Sequence, residues 1–368
     1  SSSGVTPDDR DGSDGSAEGD AESDDSDNST ELSTTDESVP TNDEADDPAL
    51  RTALNAPSVE EEVGEDVSRE TATPSAPALS DASDVSRETP LSDTPLMRAV
   101  VKETRQKQEL DSRVLPRPDR TRILTVANQK GGVGKTTTTV NVAAALALAG
   151  LSVLVVDLDP QGNASTALGV PHHADVTSIY DVLVDGTPLS EIVQPCPDVD
   201  GLLCAPATID LAGSEIELVS LVARETRLRR ALTAYLEERD ERIDYVLIDC
   251  PPSLGLLTVN AFVAADEVFI PIQCEYYALE GLSQLLKNID MIRTHLNPTL
   301  HVSTILLTMY DARTRLSAQV ADEVRNHFGP HTLHSTVPRS VRVSEAPSHG
   351  QTVITYDPMS TGALAYRE

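Results

Sequence analysis

Tryptophan is absent, and only three phenylalanines and eight tyrosines occur in 368 residues. With so few rings, the first 120 residues cannot bury enough apolar surface to offset their ordering entropy, and they read as disordered. No run of about 18 apolar residues is present, which excludes a membrane-spanning helix. A basic-then-apolar leader is missing too, so a cytoplasmic protein is expected. The four cysteines, Cys196, Cys204, Cys250 and Cys274, form no CxxC pair. That argues against a disulfide framework or a zinc ribbon and for reduced, buried thiols. Basic residues are scarce: 28 Lys and Arg stand against 60 Asp and Glu, for a net charge of −32.

The acidity is uneven. Residues 1–120 hold 31 acidic and 11 basic side chains, leaving 29 and 17 for the remainder. The chain therefore divides into an acidic arm, residues 1–118, and a body, residues 119–368, long enough for one large domain or two small ones. Within the arm, Asp66-Val67-Ser68-Arg69-Glu70-Thr71 recurs as Asp84-Val85-Ser86-Arg87-Glu88-Thr89, either a duplicated docking peptide or drift in a biased segment. Residues 96–109 turn locally helical and more basic, and Pro116 and Pro118 punctuate the entry to the body. The sequence starts at Ser1 rather than Met and stops soon after Gly362, which fits a piece of a longer product with an incomplete last helix.

From Arg122 onward, apolar runs of strand length alternate with longer helical patterns, the signature of βαβ units. Strands are expected at 123–127, 153–156, 245–248, 268–272 and 302–309. Helices are expected at 136–149, 213–236 and 280–295. Near-continuous apolar runs mean strands covered on both faces, hence a doubly wound α/β fold with a mostly parallel sheet.

Between the first strand and first helix stands Lys130-Gly131-Gly132-Val133-Gly134-Lys135-Thr136-Thr137. Glycines let the backbone curl so that its N–H groups face phosphate oxygens, and the helix N-terminus adds positive potential. Lys135 neutralises β/γ-phosphate charge and the Thr136 hydroxyl reaches Mg²⁺. The general pattern G-x-x-x-x-G-K-[ST] wants glycine where Gln129 stands, and the loop offers a second lysine, Lys130, instead. Two further elements follow: Asp157 and Asp159 in Val156-Asp157-Leu158-Asp159-Pro160-Gln161-Gly162-Asn163, and Asp249 at the end of an apolar run before Cys250-Pro251-Pro252-Ser253. Carboxylates at the C-terminal ends of parallel strands stand where open α/β sheets bind ligands, and they can orient a water or hold Mg²⁺. His327, His331 and His334 invite a metal reading, but the Gly-Pro between them favours a solvated cluster.

The loop resembles the deviant Walker A motif, K-G-G-x-G-K-T, of the P-loop ATPases that include ParA/Soj partition proteins, MinD-type division regulators and the nitrogenase iron protein. That resemblance implies that Lys130 reaches across a dimer to the partner's nucleotide, that Asp159 activates water, and that Asp249 holds magnesium through water, with Asp157 supporting the turn. The stretches 272–281, 307–314 and 337–348 look like chromosomal ParA/Soj proteins, so the resemblance runs from about residue 121 to the end. It implies ATP and Mg²⁺ as cofactors, with phosphate contacts at Lys130, Gly131, Gly132, Val133, Gly134, Lys135, Thr136 and Thr137. Met309, Pro338 and Arg339 would face the base, and Thr136, Asp159 and Asp249 would serve the metal. The implied activity is slow ATP hydrolysis with Lys130, Lys135 and Asp159 as catalytic residues, stimulated by a ParB-like centromere-binding partner. An ATP-dependent homodimer would bind nonspecific double-stranded DNA through Arg313 and Arg342, placing the protein at the nucleoid. Phosphate contacts need only a few aligned cations, but the acidic body leaves no large basic surface, so binding is expected to be weak in the monomer and strengthened when dimerisation doubles the patch. The rival is a MinD-like membrane regulator of division-site placement, which would be expected to end in a basic amphipathic helix; this sequence ends Gly362-Ala363-Leu364-Ala365-Tyr366-Arg367-Glu368.

Overall fold

Eight strands build the sheet of this computed structural model, which describes residues 95–368. The disorder expected for the arm and both copies of its repeat fall largely or wholly at residues 1–94, outside the described residues. The strands are β1 (Arg122–Val126), β2 (Val153–Asp157), β3 (Gln194–Pro195), β4 (Leu202–Ala205), β5 (Tyr245–Asp249), β6 (Glu267–Gln273), β7 (His301–Tyr310) and β8 (Thr332–Pro338). Their order is β3-β4-β2-β5-β1-β6-β7-β8, and every neighbouring pair is parallel except β3 with β4.

Side-chain alternation divides the core in two. On β2, Leu154 and Val156 join one apolar cluster and Val153 and Val155 the other; on β6, Val268, Ile270 and Ile272 oppose Phe269. Both faces are thus covered, the arrangement in which parallel strands read as unbroken apolar runs. The helix Lys135–Leu148 lies close against one face because Ala143, Ala144 and Ala147 present only methyl groups to the sheet. Its last turn gives way to Gly150, whose φ of +87° supplies the left-handed turn that stops it.

Beyond further helices, three features depart from or add to the expected elements. The single helix expected over 213–236 is two, Leu211–Ser220 and Arg227–Glu238, separated by a short 3-10 turn and by Ala223 at φ +55°. Asn260 on the neighbouring helix Leu256–Ala264 explains the break: its Nδ2 donates to the Arg224 carbonyl at 2.9 Å, and its Oδ1 accepts from the Leu228 N–H at 3.3 Å. Strands β3, β4 and β8 are additional, all on the flanks of the sheet. Finally, the helical stretch assigned to the arm forms the helix Pro95–Asp111, and its end is tied to the body. Leu110 is buried there, and Asp111 accepts from Arg367 of the last helix at 2.6 Å.

Candidate functional site

The phosphate loop joins β1 to the helix Lys135–Leu148, with Gly132 at φ +73° and Gly134 at φ +89°. A residue with a Cβ pays a steric penalty in that region. Gly134 is the N-cap and offers no side-chain acceptor, and no acidic residue occupies the first turn. The first N–H groups of the helix therefore lack an internal competitor for an anion. The loop is fastened to β6 and β7, on one side of β1: the Thr308 hydroxyl donates to the Val133 carbonyl at 2.8 Å, and Asn128 Nδ2 donates to the Pro271 carbonyl at 2.9 Å.

A cavity of about 370 Å³ opens above the loop. Gly131, Gly132, Gly134, Lys135, Thr136, Thr137, Asp159 and Met309 line it. Met309 adopts φ +50°, sparsely populated for a residue with a side chain. Val133 is buried beneath, contributing only its backbone. Pro338 and Arg339 do not line the cavity. β8 ends at Pro338, which faces a separate recess with Thr336 and Lys102, and the Arg339 N–H is spent on the Tyr310 carbonyl. The far wall comes instead from Val343, Pro347, Gln351 and Val353. Asn141 and Asn163 also line the cavity, and Asn141 Oδ1 accepts from the Val353 N–H at 2.9 Å.

The carboxylates divide by environment. Asp157 and Asp249 are register partners at the C-terminal ends of β2 and β5, both fully buried. Asp157 accepts from the Ser165 N–H (2.9 Å), the Ser165 hydroxyl (2.8 Å) and the Asp159 N–H (3.1 Å). It supports the turn and the helix Asn163–Ala167 that follows. Asp249 has the Thr139 hydroxyl on Oδ1 at 2.9 Å, while its buried Oδ2 has no hydrogen-bond partner. Burial pushes the Asp249 carboxyl well above the ordinary carboxylate range and the Asp157 charge pushes it further, with the Thr136 and Thr139 hydroxyls offsetting part of the rise. Burial raises Asp157 as well, and its Ser165 hydrogen bonds oppose that. Asp159, also buried, lines the cavity, and its Oδ1 accepts from the Gln161 N–H at 3.0 Å.

An orphaned, buried carboxylate oxygen beside the Thr136 hydroxyl fits a hydrated divalent cation, which would both satisfy it and lower its pKa. Lys135 is nearly buried; burial lowers its pKa, and the negative charge of Asp249 opposes that first. Lys130 is absent from the cavity lining. Its side chain stands partly exposed and donates to Glu275 Oε2 at 2.6 Å. Cys250 is fully buried, which holds its thiol protonated and makes it structural.

The two arginines expected at DNA each carry an acid. Arg313, 88% exposed, makes a two-pronged pair with Asp311 at 2.9 and 2.8 Å. Arg342 pairs with Glu345 at 3.0 Å and with Asp357 at 3.4 Å. Among the described residues, no helix is long and apolar enough to cross a membrane.

A family model described as an AAA domain matches residues 121–302. Sporulation initiation inhibitor protein Soj of Bacillus subtilis is 54% identical over 246 residues, which is 67% of this chain and 95% of the relative. Chromosome partitioning protein ParA of Myxococcus xanthus is 51% identical over 245 residues, 67% of this chain and 85% of the relative. Among solved structures, cobyrinic acid a,c-diamide synthase from Mycobacterium smegmatis, with bound ADP and magnesium, matches with a TM-score of 0.57 at 39% identity. That match covers 67% of this chain and 91% of the other. With its phosphate loop, paired strand-end carboxylates and near full-length match to Soj, the chain belongs to the ParA/Soj family of chromosome-partitioning ATPases.

Proposed function

We propose that this chain hydrolyses ATP with Mg²⁺, dimerises around the nucleotide, and binds double-stranded DNA without sequence preference as a dimer. A ParB-like centromere-binding partner accelerates hydrolysis and so ends the DNA-bound state. One observation carries the reading: of the two loop lysines, Lys135 lines its own cavity while Lys130 stands outside it, its side chain partly exposed and held by that of Glu275.

The residues divide the work. The backbone N–H groups of the loop and helix start receive the phosphate oxygens, and Lys135 balances their charge. Thr136 and Asp249 hold the cation, Asp249 through water. When bound, Mg²⁺ neutralises charge on the phosphate oxygens. Asp159, in the cavity wall, accepts a hydrogen bond from the attacking water and aligns it with the γ-phosphate. Val343, Pro347, Gln351, Val353 and Met309 enclose the base. Lys130 of the second subunit completes the charge balance, so turnover depends on dimerisation. Arg313 and Arg342 exchange their carboxylates for DNA phosphates, which makes binding weak in the monomer, stronger in the dimer and sensitive to salt.

Steady-state ATP turnover of the wild type and of Asp159→Ala tests this, each alone and with the partner plus DNA. The wild type is expected to be slow alone and faster with both additions, and Asp159→Ala to bind ATP without turning it over. Turnover that is fast and indifferent to both additions, or equal in the variant, would overturn the proposal.

A further inference from the structure

Lys130, the lysine sent across the dimer, is not free in the single chain. Its Nζ donates to Glu275 Oε2 at 2.6 Å. Glu275 is itself fixed: its other carboxylate oxygen accepts from the Gln273 side-chain amide, and its N–H donates to the Gln273 carbonyl at 2.8 Å. The Lys130 main chain is tied to the same strand, because Asn128 Oδ1 accepts its N–H at 3.0 Å while Asn128 Nδ2 bonds the Pro271 carbonyl. Lysine and glutamate are thus both anchored to β6, and only side-chain rotation separates them. Their side chains are 36% and 44% exposed, so the pair is reachable by another molecule and individually weak.

We infer that Glu275 is a positioning residue that latches Lys130 in the single chain and must release it for the dimer to form, an inference that rests on the dimer reading above. A carboxylate carries one negative charge and a triphosphate several. Without nucleotide in the opposite subunit the glutamate keeps the lysine; with it, the triphosphate is the stronger acceptor. The latch therefore lowers the tendency of the nucleotide-free chain to dimerise and adds to the dependence of dimerisation on ATP. Glu275 does not line the phosphate-loop cavity, and its assigned action is through Lys130.

The experiment is analytical ultracentrifugation of the full chain with Mg²⁺ and ATP across a concentration series, for the wild type, Glu275→Gln and Glu280→Gln. The glutamine keeps the shape of Glu275 and loses the charge. Glu280 lies in the first turn of the helix Ala278–His295 and controls for a general charge effect. Each exposed ion pair holds a factor of about 1.4 to 5 and a dimer opens two, so Glu275→Gln is expected to dimerise at roughly 2- to 30-fold lower concentration. Its thermal midpoint without nucleotide should match the wild type, which a merely structural role would not allow. A wild type that dimerises with ATP alongside a Glu275→Gln chain that dimerises no more readily overturns the latch. So does an equal shift in Glu280→Gln. A wild type that stays monomeric at every concentration overturns the dimer reading itself, and the latch with it.

Discussion

Asp249→Asn should stabilise the nucleotide-free protein while removing its response to magnesium and ATP. The argument starts from the register of β2 and β5, which sets Asp157 directly beside Asp249 with no solvent at either. Asp157 accepts three hydrogen bonds, whereas Asp249 has the Thr139 hydroxyl on Oδ1, the Thr136 hydroxyl nearby and no hydrogen-bond partner on Oδ2. A buried polar group left unpaired costs about 1–3 kcal/mol, and an unpaired negative charge beside another makes this a demanding case. The folded-state pKa lies above the unfolded one, so the folded protein holds an extra proton between the two values. Stability then falls as pH rises through that window, and the full penalty is present above it. Asparagine keeps the Thr139 hydrogen bond and removes the charge. Urea denaturation without nucleotide should show the variant about 1–3 kcal/mol more stable at about pH 8 and a smaller gain at about pH 5. With Mg²⁺ and ATP added, the wild type should gain stability and the variant little or none. A variant less stable than wild type at both pH values, or one that keeps the full magnesium response, would refute the reasoning.

Ser165→Ala removes the hydroxyl that donates to Asp157 Oδ2 at 2.8 Å and accepts from the Ala207 N–H at 3.2 Å. It should lower stability by about 1–3 kcal/mol in urea, and an unchanged midpoint would count against the Asp157 network. Gly134→Ala places a Cβ at φ +89°. A strain of about 1–3 kcal/mol in the phosphate loop should weaken ATP affinity by roughly 5- to 150-fold in calorimetric titration, whereas unchanged affinity would show that the left-handed turn is dispensable. Arg313→Ala and Arg342→Ala should each weaken DNA binding in the ATP state and reduce the salt slope of the dimer by about 2, one contact from each subunit. Freeing Arg313 by Asp311→Asn should tighten binding; the opposite result would remove Arg313 from the interface.

The phosphate loop was legible because its chemistry is contiguous: glycines, lysines and threonines within eight residues, between an apolar run and an Ala-rich helix. The central strands were legible because burial on both faces leaves unbroken Val, Leu and Ile. The flanking strands were not. β8 reads Thr-Leu-His-Ser-Thr-Val-Pro, half polar because it closes the sheet, and β4 has only four residues. The break before Arg227 has no Gly or Pro to announce it, since Asn260, distant in sequence, supplies the hydrogen bonds that hold it. The far wall of the cavity was missed for the same reason. Val343 and Pro347 lie in the family-like stretch 337–348 but in short helical turns whose side-chain directions the sequence does not give, and Gln351 and Val353 follow beyond it, while Pro338 and Arg339 sit just before the chain reaches the cavity. Lys130 could be singled out from its place in the loop, but its pairing with Glu275 joins residues 145 positions apart.

The central claim is that nucleotide controls DNA binding through a dimer that Lys130 completes. Its most direct test is binding of the full chain to a nonspecific duplex without nucleotide, with ADP, with ATP, and with ATP in Lys130→Ala, at several salt concentrations. Binding with ATP only, lost in Lys130→Ala and weakened steeply by salt, is the predicted result. Equal binding in all four states, or none in any, would contradict it.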